Sequence, residues 1–497
     1  MHRRKKFIAR VLLLDLLILT GIVNFSYGQT KIDKLDKLVA TYAEYGQFNG
    51  SILVAEKGKI IYKKGFGLAN MEWNIPNRAD TKHRLGSITK QFTSMLIMQL
   101  VQQNKLKLNV PISTYLPDYP KPNGDLITIH HLLSHTSGTP NFTSFPNYGE
   151  LMSESYRPAG LVKLFADSVL RFKPGEKFEY SNSGYILLGL IIEKVTGKSY
   201  EQVLKENILT PLKMNNTGYD HGGTVIKNRS SGYERNGLGY VNATYIDMSV
   251  PFAAGALYST VEDLYLWDQA LYANQLLRKE NGDLLFGKHI SIGGSAYYGY
   301  GWVTSEIPVG RTQEKVHVIS HSGGINGFGT LITRIPSDKS LIVLLDNTGG
   351  GHLQQITTAI TGILYDKPYD FPKRSIANSL FEIVSKKGIT DGQSFYKKVK
   401  NAGDYYLNEQ EMNEAGYQLL RSGKTKEAAF VFKLNIDAFP GSFNAYDSYG
   451  EVLLALGDKT KAIENYKRSV ELNPNNTNGI NVLKDLGVNP DSLIKKE

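Results

Sequence analysis

Towards its C-terminal end the chain repeats itself every 34 residues. Gly423 and Gly457 stand 34 apart, as do Ala428 and Ala462, Phe432 and Tyr466, and Pro440 and Pro474. Four positions agreeing on one period restrict the fold more than any composition can. The units read "NEAGYQLLRSGKTKEAAFVFKLNIDAFP" and "DSYGEVLLALGDKTKAIENYKRSVELNP". Each suggests two helices, with small residues where they cross and a proline closing the second. One such unit cannot bury its apolar face alone, and stacks need about three repeats to be stable. Residues 367–408, a connector with weak helical pattern, or the segment "INVLKDLG", are therefore expected to supply cap helices; otherwise the pair leans on the rest of the chain.

These units resemble tetratricopeptide repeats, here spanning 409–497. The remainder follows a different pattern. A helical segment at 32–46 precedes two strand candidates, "FNGSILVAEKG" and "KIIYKKGFGLAN", which meet at Gly58 in a hairpin. Helical segments follow near 127–135, 157–170, 183–196 and 199–209. "LYSTVEDLYLWDQAL" offers Ser259 and Glu262 as a capping box. From about 297 to 346 the pattern turns to strands, "YYGYGWVTSEI", "KVHVISHSG", "GFGTLITRI" and "SLIVLLDN", and a helix near 352–365 closes the region. Strands at both ends with helices between predict an α+β domain over 29–366. Its antiparallel sheet would be assembled from the two ends of the domain, with a helical middle region packed on it.

The 497 residues include no cysteine, which excludes disulfides, thiolate metal sites, a thiol nucleophile and a lipid-modified cysteine. The first 28 residues read as a signal peptide. "HRRKK" is a positive n-region, "VLLLDLLILTGIV" a short apolar h-region, and Ser26 and Gly28 are small residues at a cleavage site. An exported protein, periplasmic or secreted, is expected; the alternative is an uncleaved N-terminal anchor. The formal charge of +10 falls to +6 without this segment. The remaining basic residues are scattered, so a nucleic-acid partner is not expected.

The stretch "RLGSITKQFTSMLIMQLV" puts Ser87 and Lys90 three residues apart at the mouth of an apolar helix. Residues i and i+3 share a helix face. A serine hydroxyl needs a base to become a nucleophile, and a lysine can serve once burial lowers its pKa. The helix N-terminus favours a developing oxyanion. Two further stretches sharpen this reading. "FEYSNSGYILLGLIIEKVTG" carries Tyr180 and Asn182 ahead of another apolar helix, and "ISHSGGINGFG" carries His321, Ser322, Gly323 and Gly324 at the end of a strand.

In this order, S-x-x-K, Y-x-N and a Lys-Thr-Gly-type strand, the chain resembles the serine β-lactamase and penicillin-binding protein superfamily on its class C-related branch. "LLSHTSGTP" and "AAGALYSTVEDL" resemble flanking segments of the same family. The resemblance implies Ser87 as acylated nucleophile, Lys90 as its base or proton relay, and Tyr180 as the second proton-transfer group. A phenol ordinarily titrates near 10, so that role would call for cationic neighbours such as Lys90. Asn182 would bind Lys90 and the substrate amide. The backbone N–H groups of Ser87 and Gly324 would form the oxyanion hole, and His321, Ser322, Gly323 and Gly324 would line the substrate site.

The chain departs from the family at the third motif, where His-Ser-Gly stands for Lys-Thr-Gly. His321 is expected to be largely neutral near pH 7, still able to donate a hydrogen bond to Tyr180 or to substrate. That weakens hydrolysis of β-lactams and of peptides with a free C-terminal carboxylate, and leaves esters, amides and D-amino-acid peptides. No cofactor and no metal are called for. His131 and His135 have the i, i+4 spacing of a zinc pair, but no H-E-x-x-H accompanies them. "NTGGGH" lacks the ending of a phosphate loop and reads as a strand-to-helix turn. The expected activity is hydrolysis of an amide or ester through an acyl-enzyme on Ser87, on a small-molecule or peptide substrate, with a protein partner at the repeats. The alternative is a non-catalytic peptide or cell-wall binder on the same scaffold.

Overall fold

A computed structural model describes residues 30–236 and 239–490. The signal-peptide reading lies outside the described residues. The first region opens with α1 (Lys31–Glu44), β1 (Gly50–Glu56) and β2 (Lys59–Phe66). Lys57 and Gly58 both have positive φ, 52° and 74°, which matches the strand twist across a two-residue hairpin turn. The helical middle is built on α2 (Thr89–Gln102), α3 (Asn182–Thr196) and α4 (Val261–Tyr272). Then come β3 (Ile290–Gly293), β4 (Ala296–Tyr298), β5 (Val303–Pro308), β6 (Lys315–Ile325), β7 (Phe328–Ile335), β8 (Ser340–Asp346) and α5 (Leu353–Leu364).

The large sheet has the order β3-β4-β5-β6-β7-β8-β1-β2. The last strand of the region, β8, pairs antiparallel with the first, β1, from Gly50–Asp346 to Ala55–Leu341. The sheet is thus closed by the two ends of the domain, as the element order implies. Both β1 and β8 read as continuous apolar runs because both of their faces are covered. On one face Ile52, Val54, Ile342 and Leu344 meet α1 and α5. On the other, Leu53, Ala55, Val343 and Leu345 meet the helical middle, where Phe92 stacks on Trp267 at 4.4 Å.

Several local expectations are corrected. The stretch "YYGYGWVTSEI" is two strands, β4 and β5, joined through Gly299–Trp302. The chain turns there because Gly301 (φ 76°) abuts α2: a Cβ on it would lie 2.8 Å from the Lys90 carbonyl. The helices at 127–135 and 157–170 shrink to Ile129–Leu133 and Pro158–Lys163. The segment 199–209 is helical over Tyr200–Leu204 and then widens into a π turn. The cap of α4 is Thr260, whose hydroxyl accepts from the Asp263 N–H. Ser259 instead belongs to a short strand, and its hydroxyl meets that of Thr217 at 2.7 Å.

The segment 367–408 is more helical than its sequence pattern indicates. It holds α6 (Ile376–Lys387) and α7 (Ile389–Val399). Ala377 and Leu380 of α6 share one core with Met412, Ala415, Val431 and Phe432 of the first repeat. The repeats are α8 (Glu409–Arg421) with α9 (Thr425–Ala438), and α10 (Phe443–Ala455) with α11 (Lys459–Leu472). The small residues at the crossings are glycines 416 and 450. A Cβ on Gly416 would lie 2.4 Å from the Phe432 ring, and one on Gly450 2.9 Å from that of Tyr466. A last helix, α12 (Thr477–Asp485), covers the far end through Leu483. No helix of the described residues is long and apolar enough to cross a membrane.

Candidate active site

Ser87 lies in the 3₁₀ turn Gly86–Ile88 that leads into α2, and Lys90 lies in the first turn of α2 itself. Lys90 is completely buried, yet no carboxylate of the described residues touches it. Its amine meets three oxygens: Ser87 Oγ at 3.1 Å, Asn182 Oδ1 at 2.8 Å and the Ala254 carbonyl at 2.9 Å. Asn182 opens α3, and its own groups fix its orientation: its backbone N–H donates to Asn141 Oδ1, and its Nδ2 donates to Thr143 Oγ1 at 3.1 Å. Its Oδ1 therefore faces Lys90 as an acceptor.

Burial pushes Lys90 well below 10.5. The rings of Tyr180 and Tyr185, 4.9 and 5.4 Å away, favour the cation but do not outweigh its desolvation. An uncharged amine has two N–H donors and one lone pair. Asn182 Oδ1 and the Ala254 carbonyl can only accept, so they take the two N–H groups. The lone pair is then left facing the Ser87 hydroxyl, the geometry of a base toward a nucleophile.

Tyr180 completes the cluster. Burial raises its phenol above 10. Lys90 does not bring the phenol below its ordinary range, as a role as base would require: burial dominates, and Tyr180 keeps its proton near neutral pH. It is thus placed as a donor rather than a phenolate base. Its ring lies against that of His135, 4.2 Å between centroids.

Strand β6 brings the third motif to the same place. It pairs with β5 only as far as Ser320, so from His321 onward its outer edge has no strand partner among the described residues. Gly86 (φ 54°) backs directly onto Gly324; a Cβ there would fall 2.8 Å from the Gly324 nitrogen. Gly323 is equally confined, against the Leu85 carbonyl. Glycine at these positions is what lets strand and turn approach. Gly324 lines a cavity of about 160 Å³ with Ser87, Asn182, Phe142, Tyr148 and Ile325.

Two of the expected site residues sit differently. Strand alternation carries the Ser322 side chain to the opposite face, where it is exposed. His321 is buried, and both of its ring nitrogens are engaged inside the protein: Nδ1 with the Ser322 carbonyl at 2.6 Å and Nε2 with the Tyr298 hydroxyl at 2.9 Å. It has no donor left for Tyr180 or substrate. Burial pushes it down to about 4.

The zinc-like spacing of His131 and His135 dissolves because the helix ends at Leu133 and His135 is left-handed, φ 57°. His131 Nδ1 accepts from the Thr128 N–H at its helix start. His135 instead turns inward against Tyr180. Sequence reasoning missed His135, Tyr298 and Ala254 as neighbours of the site. Their only signal was that they lie in or beside "LLSHTSGTP", "AAGALYSTVEDL" and the Tyr-Gly run at 297–301.

A family description, Beta-lactamase, matches residues 35–361, and a Tetratricopeptide repeat description matches residues 443–476. The chain belongs to the β-lactamase family. Penicillin-binding protein 4* of Bacillus subtilis (strain 168) is 32% identical over 375 residues, covering 70% of this chain and 79% of that protein. The β-lactamase domain also superposes on a penicillin-binding protein from Bacillus halodurans (28% identity, 66% of this chain and 98% of that one, TM-score 0.59). It likewise superposes on the D-amino acid amidase of Ochrobactrum anthropi SV3 (25% identity, 67% and 98%, TM-score 0.57). Its fold is that of the β-lactamase-type serine hydrolases, with tetratricopeptide repeats appended.

Proposed function

We propose that this protein hydrolyses an amide or ester through an acyl-enzyme on Ser87. The observation that carries this is Lys90 Nζ, 3.1 Å from Ser87 Oγ, with two obligate acceptors orienting its lone pair. As Ser87 Oγ attacks the substrate carbonyl carbon, its proton passes to Lys90. The carbonyl oxygen becomes an oxyanion in reach of the Ser87 and Gly324 N–H groups, and a donor of this kind is worth about 10²–10³ in rate. Tyr180 gives its proton to the departing nitrogen or oxygen as the carbonyl–heteroatom bond breaks, and Lys90 returns one to Tyr180. Water then repeats the sequence in reverse and frees Ser87. Asn182 holds Lys90 and presents its amide to the substrate.

The lining supports a substrate class. Phe142, Tyr148 and Ile325 are apolar or weakly polar, and the third motif supplies no cation. A compact, uncharged acyl group on an amide or ester fits. A carboxylate beside the scissile bond would be desolvated without a partner. We further propose export to the cell envelope, from the N-terminal charge and apolar pattern and the penicillin-binding relatives, and a protein partner at the repeats. A fluorescent active-site serine probe should label the wild type and leave Ser87→Ala unlabelled. Equal labelling of both would end this reading.

A further inference from the structure

Behind the reacting groups lies a buried chain of three rings whose polarity is set at both ends by the backbone. The Ser181 N–H, which can only donate, points at His135 Nδ1 (3.1 Å). His135 must therefore carry its proton on Nε2, and it donates to the Tyr298 oxygen (3.2 Å). At the other end the Ser322 carbonyl, which can only accept, takes the proton of His321 Nδ1 (2.6 Å). His321 Nε2 is then an acceptor, and the Tyr298 hydroxyl donates to it (2.9 Å). Every proton in the chain His135, Tyr298, His321 runs one way.

The neighbouring Tyr185 does not donate a proton into this chain. Tyr185, which also meets Tyr298, gives its own proton to the Leu133 carbonyl (3.0 Å), and its oxygen lies 3.1 Å from the Ser94 hydroxyl. The titratable groups facing His321 are Lys90, His135, Tyr180, Tyr298 and, through Tyr298, Tyr185; none is a carboxylate. None of these groups would pair with a protonated His321. The same rings brace the phenol: Tyr180 packs on His135 and edge-on to Tyr298.

We infer that Tyr298 and His135 are positioning residues for the reaction: their one-way hydrogen-bond chain locks His321 with its proton on Nδ1 and both nitrogens occupied, so the strand motif offers nothing to an anionic substrate group. The inference deepens the proposed hydrolase reading and rests on it for its kinetic part; its structural part does not depend on turnover.

The test begins with the protein labelled with ¹⁵N-histidine, as wild type and as Ser87→Ala, with His321→Gln to assign the resonance. His321 should show a protonated-type Nδ1 and an unprotonated-type Nε2, unchanged from pH 8 to pH 5. The opposite tautomer, or titration near the ordinary value of about 6.5, overturns the inference. In Tyr298→Phe, which keeps the ring and removes the hydroxyl, His321 should begin to titrate in that range. The preference in kcat/KM for an uncharged ester over its carboxylate-bearing analogue should fall about tenfold, the scale of one lost hydrogen bond. His135→Gln, which retains an N–H donor, should keep most of the preference. An unchanged titration and preference in a folded Tyr298→Phe overturns the inference. If Tyr298→Phe does not fold, the wild-type tautomer decides. Absence of any Ser87-dependent turnover sinks the hydrolase reading alone, because the tautomer is read in the Ser87→Ala protein.

Discussion

Among the described residues of the β-lactamase domain one lysine and one arginine are buried, and they are treated in opposite ways. Lys90, at the mouth of α2, has only neutral oxygens around it. Arg334, on β7, has the carboxylate of Asp268 from α4 at 2.6 Å, and the rings of Tyr272, Phe286 and Trp302 within 4.5 to 5.7 Å. A guanidinium cannot shed its proton inside a protein, so it must be paired. An amine can, so burial without a counter-charge turns it into a base. The same desolvation thus leaves a paired cation in one place and an amine with a lowered pKa in the other. The partner decides which.

The sharpest way to break this comparison is to remove each base in turn. Lys90→Met should lower turnover of an uncharged ester by about 10²–10⁴, the usual scale of positioned proton transfer. Its unfolding free energy should move by less than about 2 kcal/mol, because relief of a buried amine offsets the two acceptors left unpaired. Ester kinetics and urea denaturation on the same preparation read both. Arg334→Met should do the reverse, since an unpaired buried Asp268 costs about 3–5 kcal/mol. Adding Asp268→Leu should recover most of that loss, while the molecules that remain folded keep their turnover. If Lys90→Met destabilised more than Arg334→Met, the distinction would collapse.

Acid exposes the difference without mutation. In the proposed mechanism Lys90 takes the Ser87 proton only when unprotonated, so kcat/KM should rise with pH through its depressed pKa, well below where an ordinary lysine titrates. His321 works on stability. Its folded pKa, about 4, lies below the unfolded 6.5, so the unfolded chain takes up a proton first as the pH falls. That contribution is complete above pH 6.5 and is lost as the pH drops toward 4, by about 3 kcal/mol for a shift of this size. Chemical denaturation across that window should show a flatter profile in His321→Gln.

The smallest effect is expected where no cation is buried. Among the described residues of the repeats no lysine or arginine is buried. Gly416→Ala would drive a methyl into the Phe432 ring and cost about 1–3 kcal/mol by overpacking. Loss should be confined to unfolding of the helical array, with ester turnover unchanged. A fall in turnover would show that the repeats support the site.

Much of this molecule was legible before folding. The 34-residue period fixed the paired helices, because each unit repeats the contacts that bury it. Apolar runs at 50–56 and 340–346 fixed the sheet, because strands covered on both faces need no polar alternation. Spacing put Ser87 beside Lys90, because three residues are nearly one helical turn. What spacing could not reach is contact between distant parts of the chain. The Ala254 carbonyl, 164 residues from Lys90, decides where the lone pair points. His135 had an apparent helical partner until a left-handed residue turned it inward. Tyr298 looked like one aromatic in a strand until Gly301 broke that strand against α2. His321 looked free to meet a substrate until its two nitrogens found Ser322 and Tyr298. Sequence supplies the chemical groups. The direction of each proton depends on which donors and acceptors surround them, and only tertiary packing fixes that.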